Sequence, residues 1–148
     1  MNATLKTACI CGALILATEV SIAGSQIQNA PTEKLDWQTT PEGVAFAALV
    51  GDRFAEPYMA MVKLPAGLVS PAHAKSANMF GVMITGSMVH SAVGSDPQED
   101  IVLSEGSFYR IPKDLPHVSK CVSNTDCITF FYQDGKFDFL PVDNQDTQ

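Results

Sequence analysis

The chain of 148 residues is long enough for one domain with its own core, and it carries a formal net charge of −7 at pH 7. With 9 Lys and Arg against 16 Asp and Glu, few cations are available to cluster, which argues against nucleic acid or an anionic lipid surface as partner.

Residues 1–23, MNATLKTACICGALILATEVSIA, read as a signal peptide. Lys6 leads, an apolar run spans Ala8 to Ala17, and Ser21-Ile22-Ala23 offers small residues for cleavage before Gly24. The run is shorter than the ~20 apolar residues that a spanning helix needs. Cys9 and Cys11 sit too early, and without the small residues upstream that lipid attachment wants. The mature chain is therefore expected in the periplasm or outside the cell, with no membrane association after cleavage. Residues 24–35 read as a polar linker.

Strands are expected next, in the order VAFAALV (44–50), PYMAMVKL (57–64), FGVMIT (80–85), SMVHSAV (87–93), DIVL (100–103), SFYRI (107–111), HVSKCV (117–122) and ITFFYQ (128–133). The second alternates, with Tyr58, Ala60, Val62 and Leu64 on one face and Met59, Met61 and Lys63 on the other. The pair flanking Gly86 is expected to form a hairpin. Clusters of Gly, Pro, Asn and Asp separate the segments, and no helical period runs for a dozen residues after the leader. A single all-β domain, sandwich or barrel, follows. The polar tail PVDNQDTQ is expected to fray, with residues 143–148 disordered.

Cys121 and Cys127 remain once the leader is removed. In an exported chain such a pair reads as a disulfide. Two free thiols or a reactive dithiol are the alternatives, but the spacing is not CxxC and nothing basic lies between them. CVSNTDC, with its polar middle, reads as a hairpin loop.

Two stretches carry the chemistry. One runs Gly67, five residues, His73, one residue, Lys75, three residues, Met79, six residues, Gly86. The other runs Gly106, five residues, Pro112, one residue, Asp114, two residues, His117. Together they resemble the paired signature of the cupin superfamily. There the first stretch has His-x-His, a Glu and a closing glycine, and the second has Pro-x-Gly and a His. VKLPAGLVSPAH, KCVSNTDC and YQDGKFDFLPV extend the likeness from Asp36 to Val142, towards small secreted cupins of unassigned function close to ChrR-like domains.

The resemblance implies a cupin domain over 36–142, folded as a jelly-roll β-barrel (a double-stranded β-helix). It also implies an inter-sheet cavity holding His73, Lys75, Met79 and His117, and homodimers through edge strands. His73 and His117 hold the first and last metal-ligand positions of a three-His, one-Glu set that suits Fe, Mn, Zn, Ni or Cu. Lys75 and Met79 take the positions of the second His and the Glu. A protonated lysine has no lone pair for a metal, and its charge repels a cation; a thioether is a poor ligand for hard ions.

Several readings stay open. In one, the metal is lost and the barrel binds a small, anionic organic molecule, with Lys75 supplying charge and Met79, Tyr109 and His90 lining the pocket. In another, His73, His117 and Met79 hold copper. In a third, His90, on one strand face with Met88, completes a three-His site. Either metal reading supports an alternative function as a dioxygenase- or isomerase-like enzyme. A lone His on an apolar strand is otherwise a hydrogen-bonded core residue, and the methionines are gap-filling core. No serine sits in a GxSxG context, so nucleophilic Ser-His-Asp catalysis is unsupported.

Overall fold

Period-two alternation in the sequence becomes one-sided burial in the structure. In the PYMAMVKL segment, Tyr58, Ala60, Val62 and Leu64 are buried, while Met59, Met61 and Lys63 face outward. The structure is a computed structural model that describes residues 27–142; the predicted signal peptide and the 143–148 tail lie outside the described residues.

In chain order the strands are β1 (Trp37–Thr39), β2 (Ala45–Val50), β3 (Tyr58–Leu64), β4 (His73–Ala74), β5 (Met79–Thr85), β6 (Met88–Ala92), β7 (Phe108–Ile111), β8 (His117–Cys121), β9 (Cys127–Gln133) and β10 (Leu140–Pro141). The strands form two antiparallel sheets, one ordered β1-β2-β3-β9-β5-β7 and the other β10-β4-β8-β6. Helix is confined to short 3-10 turns at Thr32–Lys34 and Pro97–Glu99 among the described residues. The chain is thus a single all-β domain with a two-sheet jelly-roll core, as predicted.

Three local expectations are corrected. β5 and β6 do not form a hairpin: β5 pairs with β7 and β9, and β6 pairs with β8. Gly86 lies between them at φ 79°, and the chain there crosses from one sheet to the other. A Cβ at Gly86 would sit 3.0 Å from the Asp126 carbonyl and from Cys127. Both strands bury methionines in one core, Met79 and Met83 from β5 and Met88 from β6, so they serve as facing layers rather than neighbours.

CVSNTDC is likewise a crossover between sheets, from β8 to β9, rather than a hairpin loop. Its cysteines are bridged, with an S–S distance of 2.04 Å and Cα atoms 5.8 Å apart. Finally, DIVL forms no strand. The Asp96-capped turn at Pro97–Glu99 redirects the backbone just before it. Leu103 alone exchanges hydrogen bonds with Met88, and Ile101 and Val102 are exposed.

Candidate functional site

β4 is two residues long, and its pairing positions the site. It lies between β8 and β10, in a register that sets His73 opposite His117. The two ring centroids are 4.3 Å apart, and Phe139 stacks on His73, also at 4.3 Å. Both rings are oriented by the backbone. Nδ1 of His73 lies 2.8 Å from the Pro71 carbonyl, and Nδ1 of His117 lies 2.9 Å from that of Leu115. A carbonyl only accepts, so in each neutral ring Nδ1 carries the proton and Nε2 keeps its lone pair. His117 Nε2 is buried and has no hydrogen-bond partner.

Burial lowers the His73 pKa to about 4 against the pull of the Pro71 carbonyl, with the charges of His117 and Lys75 adding to the shift. His117 is lowered too, by burial first, against its Leu115 hydrogen bond, and then by Lys75. Both are neutral near pH 7.

Lys75 follows β4 directly and is only 5% exposed. Its ammonium donates to the Asp138 carbonyl and lies 3.9 Å from the centroid of the Phe137 ring. Burial lowers its pKa to about 8, opposed by the Asp138 charge. The Asp138 carboxylate itself accepts from Ser76 N at 3.2 Å. The Lys75 backbone carbonyl accepts from Asp114 N at 2.8 Å. Asp114, at the position where the resemblance expects glycine, adopts φ 61°, the left-handed conformation that glycine takes most readily.

Met79, from β5, is buried. Tyr109, from β7, is also buried, its pKa pushed up to about 12 by burial, and its hydroxyl lies 3.3 Å from Thr129 Oγ1. His90, from β6, lies 4.3 Å from the Tyr109 ring, centroid to centroid, with Nδ1 2.8 Å from Ser119 Oγ. Its Nε2 is buried without a partner, and burial, then His117 and His73, lowers its pKa to about 4.

His73, Lys75, Met79, His90, Tyr109 and His117 thus all line one cavity of about 580 Å³ between the sheets. Sequence reasoning missed Arg53, Phe46, Phe54, Phe137 and Phe139, which line it too. The available signal was the alternation of FDF beyond β9. Arg53 carried none, since an arginine in a Gly- and Pro-bounded turn reads as solvated.

The donor set does not fit the metal that the motif implies. Among the described residues, no group of three His, Cys, Asp or Glu side chains is placed to hold an ion, so His90 does not complete a three-His site. The other two motif positions present an ammonium and a thioether, and Cys121 and Cys127 are tied in their disulfide.

A family model described as ChrR Cupin-like domain matches residues 25–137. Among solved structures, KdgF from Halomonas sp. is similar with a TM-score of 0.58 at 16% identity, over 74% of this chain and 94% of that one. An RmlC-like cupin from Shewanella frigidimarina gives 0.57 at 15%, over 74% and 92%. An oxalate oxidase gives 0.60 at 20%, over 84% and 68%. At these identities the likeness is one of fold. No protein with a curated description matches the chain.

Proposed function

This chain belongs to the ChrR cupin-like family of the cupin superfamily, and on that premise we propose that its barrel binds a small organic anion, a carboxylate foremost. The observation that carries this reading is Lys75. An ammonium taken out of water costs several kcal/mol unless it is paired. Lys75 is buried on the cavity wall and forms no ion pair among the described residues, where Lys120 pairs with Asp100; the Asp138 charge acts on it only from beyond ion-pair distance. One carbonyl and the faces of Phe137 and Phe139 are its partners, which leaves donors for an anion. The neutral rings of His73 and His117 add Nε2 acceptors for a ligand hydroxyl. Residues 1–23, read as a signal peptide, support a place for the mature protein in the periplasm or the exterior. Membership of the cupin superfamily supports pairing of two copies through edge strands.

Calorimetric titration with acetate, lactate and benzoate tests the reading. Saturable binding to the wild type, weakened about tenfold or more in Lys75→Met, is the expected result. Binding that Lys75→Met leaves unchanged would overturn it. Metal analysis of protein purified without chelator separates this function from a dioxygenase- or isomerase-like one. Negligible metal is expected in both the wild type and a His73→Ala, His117→Ala double variant. Stoichiometric metal lost in the double variant would favour the enzyme.

A further inference from the structure

Arg53 sits in the GDRFAEP turn between β2 and β3, half-buried on the cavity wall. Its guanidinium carbon lies 4.5 Å from the ring centroids of both Phe46 and Phe54, and 5.6 Å from that of Phe137. The backbone N–H of Phe137 in turn donates to the Arg53 carbonyl at 2.5 Å, which ties the clamp together. Aromatic faces hold the planar cation in position, but they accept none of its N–H groups in the plane of the fork.

The guanidinium has no better partner. Its Nη1 is buried with no hydrogen-bond acceptor, and no carboxylate pairs with it among the described residues. Glu42 is the acid on the cavity wall; it is exposed and forms no ion pair with Arg53. Phe137 connects Arg53 to Lys75. The Lys75 ammonium lies 3.9 Å from that ring centroid and the Arg53 carbon 5.6 Å, so the two cations are no farther apart than the sum of these distances. Two cations without an ion pair among the described residues thus share one cavity, both within reach of the Phe137 ring.

We propose that Arg53 is a second anion subsite and that the ligand is a short dicarboxylate. One carboxylate sits at the Lys75 ammonium. The other is taken bidentately by the Arg53 fork, and the hydrocarbon spacer runs against Phe137. This assignment rests on the reading that Lys75 binds an anion. A planar fork suits a carboxylate better than a point charge does, and an aromatic wall suits a methylene spacer better than water.

Calorimetry tests it with malonate, succinate, glutarate and adipate, each against the monocarboxylate of equal length. The wild type, Arg53→Gln, Arg53→Lys and Lys75→Met are compared, with a thermal melt of each. At least one dicarboxylate is expected to bind the wild type about tenfold tighter than its monocarboxylate. Arg53→Gln brings that ratio close to one, and Arg53→Lys, which keeps the charge but not the fork, retains part of it. If Arg53→Gln does not fold, the drop in Arg53→Lys decides. A wild-type ratio near one, or a ratio that Arg53→Gln and Arg53→Lys both leave intact, overturns the second subsite. The Lys75 reading then still stands, provided Lys75→Met weakens monocarboxylate binding. Failure of every carboxylate to bind the wild type overturns both.

Discussion

At position 81 the side chain is a hydrogen, and Tyr109 on the paired strand occupies the space. A Cβ on Gly81 would collide with the Tyr109 ring and hydroxyl. The smallness of this glycine, rather than its conformational freedom, makes room for the Tyr109 ring beside His90. Gly81→Ala is therefore expected to displace the ring and lower stability by about 1–3 kcal/mol in urea unfolding. Adding Tyr109→Leu should recover part of the loss. If Gly81→Ala alone unfolds at the wild-type midpoint, the ring does not depend on this gap. Asp114 shows the reverse situation: a side chain occupies the motif's glycine position, and the backbone keeps the left-handed conformation there.

Among the elements, the short ones decide the site. β4 has no hydrophobic period to announce it, yet its pairing with β8 brings His73 against His117. The connections matter as much. The sequence pattern suggests hairpins at Gly86 and at CVSNTDC, but both are crossings between layers, and they touch: the Gly86 position packs against Cys127. The disulfide therefore braces the point where β8 passes to β9, beside the passage from β5 to β6. For so short a ring the chain-entropy contribution is about 2 kcal/mol. A Cys121→Ala, Cys127→Ala double variant should lose about that much, and reductant should have little further effect on it. A variant as stable as the oxidised wild type would show that the crossing holds without the bridge.

For the molecule as a whole, the cost of a cationic, histidine-lined cavity appears as pH dependence. His73 and His90 are held near pKa 4, below the ordinary 6.5, and His117 is lowered as well, in each case chiefly by burial. The folded state thus favours the neutral rings, and the unfolded chain binds more protons below pH 6.5. The histidines' contribution to stability is complete above 6.5 and is lost as the pH falls towards 4. Each unit of displacement is worth at most about 1.4 kcal/mol per ring. The melting temperature should therefore fall through that window, and by less in His90→Gln. A melting temperature constant from pH 6.5 to 4 would contradict neutral, buried rings.

Alternation and turn residues by themselves determined the all-β class and seven of the strands, because period-two burial is local and PYMAMVKL carries it unaided. The resemblance to the paired cupin signature singled out His73, Lys75, Met79 and His117, which stand at the motif's ligand positions. Only the tertiary structure decided which strands are neighbours and which are facing layers. Both arrangements bury the same residues, and only long-range pairing separates them. It also decided that Arg53 is drawn in from a loop. Its aromatic clamp is built from Phe46 on β2, Phe54 beside it and Phe137 beyond β9, residues that no local pattern connects.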